Sequence, residues 1–312
     1  GVTLGVLVGA ANAELAAMVE GVGAVHSWTG SDSTGALLGE IRAARYDAAL
    51  VLHNRGRVNR LLVRAGIARR VGPATKLAQL HLTRRVRQRR AEGRRHEMDY
   101  NLELAGALGV PAAVLESVAT PRLVPPAAAR ARADRELGEI GLGARPFVLL
   151  HPGSGGSALD WRTANYARLA EALTRDGLDV LVSGGPGEEK RVDQVLARCG
   201  EIPRGWIGQS GPATLAAILA RAAVLVSGST GPMHLAAAVG TPVVALFCPR
   251  FVCLPRRWGP RTDRATVLLP PVDRVCDHCL GPTCPDYDCM DKIPVERVLA
   301  AARRWARADE SP

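Results

Sequence analysis

Three short segments in the second half of the sequence combine glycine with hydroxyl-bearing residues. Each follows an apolar, strand-like run and precedes a helical pattern, so each is predicted to join a parallel strand to a helix. Glycine allows close approach of the backbone, serine and threonine donate hydrogen bonds, and a helix N-terminus favours negative charge, which together indicate a diphosphate site. None has the spacing of a P-loop or a dinucleotide-binding fingerprint, and ordinary tight turns remain the alternative interpretation. The segments are 151–156 (HPGSGG), 183–187 (SGGPG) and 227–232 (SGSTGP).

The third of these segments resembles the signature of glycosyltransferase family 9, the ADP-heptose:lipopolysaccharide heptosyltransferases. The resemblance continues through the following helix and strand and extends to four other parts of the chain. It implies an α/β fold of the GT-B type, in which two Rossmann-like, doubly wound domains face a cleft. The acceptor would bind to the first domain and the donor nucleotide to the second. The matching residues are 229–238 and 240–247, then 151–154 with Trp161, 184–189, 45–52 and 96–101.

The resemblance also implies which residues contact the donor. Glu188 or Glu189 would bind the ribose or base side of the nucleotide, and simple helix-start charge is the alternative for both. For His234, the alternative is a helix histidine bonded to the backbone. The other residues predicted to bind the donor, around its diphosphate, are Ser154, Gly155, Ser229, Thr230, Gly231 and His234.

Several positions depart from the family pattern. The family's lysine before Trp161 is Leu159 here, and we predict that Arg162 substitutes for it. The family's aspartate before Thr230 is Ser229. The chain is expected to open at the family's second strand, so the catalytic aspartate that follows the family's first strand has no counterpart, and the catalytic residue stays unknown. The implied reaction is inverting transfer assisted by a general base, with no cofactor required.

Basic residues are concentrated in the first half of the chain. The formal charge is +10, and 16 of the 40 basic residues fall within 42–95, together with only Asp47 and Glu92. This excess predicts an anionic partner, either a phosphorylated glycolipid acceptor or an anionic membrane face, with a solvated loop as the alternative. Nucleic acid is disfavoured, because Trp28 is the only aromatic residue among the first 45 and no stacking platform is evident. The predicted acceptor-binding residues are Arg55, Arg84, Arg85 and Arg87.

Four of the seven cysteines crowd into one short segment near the C-terminus. Cys276, Cys279, Cys284 and Cys289 have spacings of two, four and four residues, which resemble those of a zinc knuckle. Four thiolates at such spacing can surround Zn²⁺ tetrahedrally. We therefore expect either a structural metal, zinc rather than iron, or a set of reduced or partly bridged thiols.

The elements that would position these residues follow from length and patterning. The 312 residues suffice for two domains, and 47% apolar with 22% charged residues indicates a folded protein. Strands alternating with helices predict doubly wound parallel sheets. The predicted domains are 1–125, on the acceptor side and lacking its first strand, and 126–294, on the donor side, with a helix in 295–312 that packs back across them. A connector rich in proline, alanine and arginine is predicted over 111–135.

These expectations favour one function over several alternatives. The chain is predicted to transfer heptose from a nucleotide sugar, ADP-heptose, to a lipopolysaccharide inner-core acceptor. The alternatives are a transferase of the same fold with another sugar or with a protein or natural-product acceptor, a catalytically impaired sugar-nucleotide-binding protein, and a zinc-knuckle nucleic-acid binder. We find no apolar run long enough to span a membrane and no signal peptide, so we expect a cytoplasmic protein with peripheral contact to the inner membrane.

Overall fold

The computed structural model describes residues 2–30, 34–118, 120–143, 145–200 and 203–307. The chain divides into two units, Gly1–Ala119 and Thr120–Pro312, whereas the predicted boundary lay after residue 125. Within the described ranges, no helix is both long and apolar enough to cross a bilayer.

The first unit contains two separate parallel sheets. One pairs the first two strands, and the other has three strands in the order in which they occur along the chain. Its strands are β1 (Leu4–Gly9), β2 (Val22–Trp28), β3 (Ala48–Leu50), β4 (Arg69–Pro73) and β5 (Arg84–Val86). Its helices are α1 (Ala13–Ala17), α2 (Thr34–Ala43), α3 (Gly56–Arg64), α4 (Glu97–Leu108) and α5 (Ala112–Glu116), with short 3₁₀ turns at Ala10–Asn12, Leu77–His81 and Arg90–Glu92.

The second unit is built on one six-stranded parallel sheet with the order β11-β10-β9-β6-β7-β8. Its strands are β6 (Phe147–His151), β7 (Asp179–Gly184), β8 (Arg204–Ile207), β9 (Val224–Gly228), β10 (Val243–Leu246) and β11 (Ala265–Leu268). Its helices are α6 (Ala127–Glu139), α7 (Thr163–Arg175), α8 (Glu189–Leu196), α9 (Pro212–Leu219), α10 (Gly231–Val239), α11 (Pro255–Trp258) and α12 (Val295–Ala306), with short 3₁₀ turns at Phe251–Cys253, Gly281–Thr283 and Cys289–Lys292.

The central strands of the second unit read as continuous apolar runs because helices cover both faces of the sheet. All five residues of β6 are buried, and β10 is buried along its whole length. The indole of Trp161 lies in this core and donates a hydrogen bond to the carbonyl of Ile293 at 3.2 Å. Helix α12 packs against α7 and the central strands, and the Arg303 guanidinium binds both carboxylate oxygens of Asp176 at 2.5 and 2.8 Å.

The structure corrects the sequence analysis in several places. The predicted connector over 111–135 is not a continuous linker, because it contains α5 and the first nine residues of α6. Strands β2, β4, β5, β8 and β11, which are three to seven residues long, were not predicted from the sequence. Strand β5 lies inside the arginine-rich run, where a solvated loop was one of the interpretations.

Candidate functional site

The predicted donor segments meet at the topological switch point of the second unit's sheet. Strand β6 lies between β9 and β7, and the chain continues to β7 and β8 on one side and to β9, β10 and β11 on the other. His151 is in register with Ser227, so the turns after β6 and β9 leave the same edge side by side. In open α/β sheets this crevice is where ligands bind. The prediction that the three turns share one edge is confirmed.

The turn after β6 is held by its own side chains and by glycine. The Ser154 hydroxyl donates to the Ala158 carbonyl at 3.1 Å, and the Ser157 hydroxyl donates to the Ser154 carbonyl at 2.7 Å. Gly155 and Gly156 both have positive φ, at 54° and 80°, which favours glycine at these positions. The turn is therefore a defined loop that presents backbone N–H groups at the crevice.

The carboxylate of Glu188 connects the turns after β6 and β7. It accepts hydrogen bonds from the backbone N–H of Gly185 at 2.8 Å and of Gly155 at 3.4 Å. Gly153 leaves the space for it, because a Cβ there would lie 1.9 Å from Glu188 Oε1. Glu189 differs, since it is exposed and accepts from the Gly187 N–H, which lowers the pKa of its carboxyl. Of the two predicted glutamates, only Glu188 bridges the two turns.

His151 is a site residue for which the sequence indicated no role. Its ring is buried, its Nδ1 lies 3.0 Å from the Ser183 hydroxyl, and its Nε2 lies 3.6 Å from Glu188 Oε2. Burial lowers the pKa of His151, and the Glu188 carboxylate acts in the opposite direction. The neutral ring can accept from Ser183 at Nδ1 and direct its Nε2–H toward Glu188. The signal in the sequence was a histidine at the end of a buried apolar strand.

The turn after β9 carries a buried hydroxyl without a partner. Thr230 is the N-cap residue of α10 and is 6% exposed, yet its Oγ1 has no hydrogen-bond partner within the described residues. Gly231 begins the helix, and His234 lies exposed on the first helical turn. Ser229, which precedes Thr230, is partly buried. A buried hydroxyl left unpaired costs about 1–3 kcal/mol, which an anion at the helix N-terminus would offset.

Arg162 is already paired with two carboxylates. Its guanidinium forms ion pairs with Asp288 and, through Nε, with Asp291 at 2.5 Å. Leu159, which replaces the family's lysine, packs against the core instead. The contacts tie the start of α7 to the segment on either side of Cys289, so the charge of Arg162 is largely neutralised before any donor binds.

A cavity of about 830 Å³ opens beside the turn after β6. Gly155, Arg162 and Glu188 of the predicted donor set line it, whereas Ser154, Thr230 and His234 do not. Its walls also carry a salt bridge between Arg191 and Asp160 at 3.0 Å. The cavity has four basic side chains and two acidic ones, which suits an anionic ligand: Arg162, Lys190, Arg191, Arg198, Asp160 and Glu188.

The predicted acceptor arginines lie in the first unit, on or next to its three-stranded sheet. Arg55 follows β3 and Arg87 follows β5, so both lie beyond the C-terminal ends of parallel strands. Arg84 and Arg85 are exposed residues of β5 and point to opposite faces. The described residues include no carboxylate partner for any of these four. Burial lowers the pKa of His53 at the same edge, and the nearby charges of Arg55, Lys76 and Arg90 act in the same direction.

The four clustered cysteines are neighbours but do not form a metal site as placed. All seven cysteines are free, and no three His, Cys, Asp or Glu side chains of the described chain come together to hold a metal ion. Arg274 donates to the Cys284 sulfur at 2.8 Å. Burial and the nearby thiols raise the pKa of Cys289 to about 11, which favours the neutral thiol. A shared metal stays a prediction, which elemental analysis of the purified protein measures.

Comparison with known proteins places these features in a family. The family model for glycosyltransferase family 9 (heptosyltransferase) matches residues 34–288. A Haemophilus influenzae protein named "Putative glycosyltransferase" is 29% identical over 76% of this chain and 71% of its own length. Lipooligosaccharide heptosyltransferase 2 of the same organism is 31% identical, but the match spans 41% of this chain and 37% of that protein.

Solved structures show the same fold. ADP-heptose lipopolysaccharide heptosyltransferase II of Escherichia coli aligns with a TM-score of 0.79 and 22% identity over 99% of this chain and 91% of that chain. A family 9 glycosyltransferase from Veillonella parvula aligns with a TM-score of 0.82 and 21% identity over 99% and 89%. E. coli heptosyltransferase WaaC with ADP aligns with a TM-score of 0.73 and 17% identity over 98% and 91%. The fold is GT-B, and the chain belongs to glycosyltransferase family 9.

Proposed function

We propose that the chain transfers a heptose from ADP-heptose to an anionic inner-core acceptor of lipopolysaccharide, with inversion at the anomeric carbon. Two features at one sheet edge carry the proposal: the Glu188 carboxylate between two turns, and the unpartnered hydroxyl of Thr230. A carboxylate accepts hydrogen bonds from ribose hydroxyls, and a hydroxyl at a helix N-terminus donates to a phosphate oxygen. Both groups therefore suit a nucleoside diphosphate.

The relatives support the choice of sugar and acceptor. Several proteins that match in sequence are named lipopolysaccharide or lipooligosaccharide heptosyltransferases, and one solved neighbour contains ADP. The matches to two of these named heptosyltransferases span 37% and 44% of their length, so donor and acceptor are part of the proposal rather than of the family assignment.

In the proposed reaction the second unit stabilises the leaving group. The N-terminus of α10, with Thr230 and Gly231, would offset the negative charge that develops on the departing diphosphate. Ser154, Gly155, Ser229 and His234 would complete the diphosphate contacts, and Arg162, already paired with two carboxylates, would contribute only a minor charge at the cavity. The acceptor hydroxyl loses its proton to a general base, and no described residue is assigned to that role.

The first unit would hold the acceptor. Arg55, Arg84, Arg85 and Arg87 lack carboxylate partners within the described residues, so their charge is available to phosphate and carboxylate groups of a glycolipid. We propose that the protein works in the cytoplasm and reaches this acceptor at the inner face of the inner membrane.

Calorimetry with ADP, UDP and GDP tests the donor site directly. We expect ADP to bind best, Glu188→Gln to weaken binding at least tenfold, and Glu189→Gln, its matched control on the next residue, to change it less than twofold. Equal loss in both variants, or preference for another nucleotide, would contradict the proposed donor.

A transfer assay separates the proposed function from its alternatives. Release of ADP from ADP-heptose in the presence of heptose-free inner core supports the proposal. ADP binding without release, across several acceptors, favours a catalytically impaired binding protein. Release only with another sugar, a protein or a small natural product favours a different transferase of the same fold, which Leu159 and Ser229 keep open because both depart from the family pattern.

A further inference from the structure

Two leucine side chains of the first unit are largely exposed to solvent, although leucine is normally buried. Leu77 is 84% exposed and Leu80 is 64% exposed, and of the large apolar side chains that the structure describes only Val2 is more exposed than Leu77. Both lie in the 3₁₀ turn Leu77–His81. Residues three apart eclipse each other in a 3₁₀ helix, so the two leucines share one side of the turn.

The turn is anchored from beneath by two buried asparagines. The Asn54 side-chain amide donates to the carbonyls of Pro73 and Thr75 at 3.1 and 2.5 Å. The Asn59 amide donates to Asn54 Oδ1 at 2.6 Å and to the Ala78 carbonyl at 2.8 Å. These bonds hold the backbone just before Leu77 and between Leu77 and Leu80. The backbone that carries the exposed leucines is therefore fixed by buried hydrogen bonds.

A neighbouring leucine already fills the core position below the turn. Leu82 is 4% exposed and belongs to the first unit's apolar core, together with Leu61 and Leu62 of α3. Leu77 and Leu80 are therefore left outside, on the far side of the turn from the core. Partners for these two side chains must come from outside the unit.

Positive charge surrounds the turn without local compensation. Lys76 precedes it, Arg84 and Arg85 follow it, and α3, which packs against it, carries exposed Arg57 and Arg60. No Asp or Glu occurs anywhere in residues 48–91. None of these five basic side chains forms an ion pair with a carboxylate in the part of the chain that the structure describes. Exposed apolar side chains with unpaired cations on the neighbouring segments match an anionic lipid surface, where the cations meet headgroups and the leucines enter the acyl boundary.

We propose that the turn Leu77–His81 and the cations around it form a docking surface for an anionic lipid bilayer. This inference deepens the proposed function by naming the residues that would bring the acceptor-binding unit to the membrane, and it rests on that function only for the choice of the inner leaflet. An acidic protein would satisfy the cations, but it would give no reason for two leucines held outward by buried asparagines.

The test is flotation of the full chain with vesicles of phosphatidylglycerol and phosphatidylethanolamine, or of phosphatidylcholine alone. We expect binding to the anionic vesicles only, weakened by 0.5 M salt. Leu77→Ala/Leu80→Ala should weaken it at least tenfold. The matched control Val114→Ala/Val118→Ala removes two exposed valines of the same unit and should leave it unchanged.

Further measurements keep a negative result interpretable. Thermal unfolding followed by circular dichroism reports whether both units of the leucine variant are folded, and vesicles without lipopolysaccharide make the result independent of transfer. In a Leu80→Trp variant we expect added tryptophan fluorescence that brominated lipids quench. The proposal is overturned by wild-type binding of the leucine variant, by equal binding to neutral vesicles, or by binding to polyglutamate but not to vesicles.

Discussion

Gly153→Ala is the sharpest test of the geometry around Glu188. Gly153 is buried, its φ is not positive, and its substitution therefore acts through space rather than through backbone strain. The added Cβ would lie 1.9 Å from Oε1, 2.4 Å from Cδ and 2.6 Å from Oε2 of Glu188. These atoms are the end of a flexible side chain, so we expect the carboxylate to move away while the fold persists.

The displaced carboxylate would lose its place between the two turns and its proposed bonds to ribose. Hydrogen bonds to a charged group contribute about 1.5–3 kcal/mol, so ADP affinity should fall about tenfold to a hundredfold in calorimetry. The melting temperature should change little. Gly138→Ala, in α6 with nothing near its added Cβ, is the control and should leave affinity unchanged.

A double-mutant cycle makes the mechanism explicit. If Gly153→Ala acts only by moving Glu188, it should have almost no further effect in a Glu188→Ala background. Additive losses, or unchanged ADP affinity in Gly153→Ala, would refute the argument that the missing Cβ serves the carboxylate.

Three further predictions follow from the same site. Thr230→Val removes the unpartnered hydroxyl, so we expect unchanged or higher stability in urea unfolding together with weaker ADP binding; a drop in stability would show that the hydroxyl is already paired. Burial holds the pKa of His151 below its usual value, so the free energy of unfolding should decrease as the pH falls below about 6.5 and should not depend on His151 above that pH. His151→Gln should make this decrease less steep, and an equally steep decrease in the variant would assign it to other groups. Arg162→Ala should increase proteolysis near Asp288 and Asp291, because the ion pairs that hold this segment are lost. It should reduce ADP affinity less than Glu188→Gln does, because two carboxylates already neutralise the guanidinium. A larger loss of ADP affinity would identify Arg162 as the main cation that binds the donor.

Much of the second unit was predictable from local patterning. Its buried strands are uninterrupted runs of Val, Leu, Ala and Phe, as in 147–150 and 243–247, because a parallel strand covered on both faces must be apolar throughout. Glycine and serine after such runs indicated the ligand-binding edge, and a parallel sheet brings those turns together whatever their separation in sequence. The site on the sheet and the helices α7 and α12 followed from these patterns.

Edge strands escaped prediction for a physical reason. β5 begins with Arg84 and Arg85, and β8 with Arg204, so neither shows the apolar run of a central strand. An edge strand is stabilised by hydrogen bonds to one neighbour, and its solvent side tolerates or even favours charge. The arginine run therefore hid a strand that only pairing with β4 reveals.

Residue types and their order along the chain were sufficient for the central strands of the second unit's sheet, for the edge at which the glycine-rich turns lie, and for the family. The sequence does not distinguish Glu188 from Glu189, but the tertiary structure does. Only Glu188 lies in the gap at Gly153 and accepts hydrogen bonds from the N–H groups of two separate turns. The pairing of Arg162 with distant aspartates, and the outward projection of Leu77 over buried Asn59, likewise depend on contacts between remote segments. Periodicity reports the environment of an element, whereas the partner of a particular side chain depends on which parts of the chain the fold brings together.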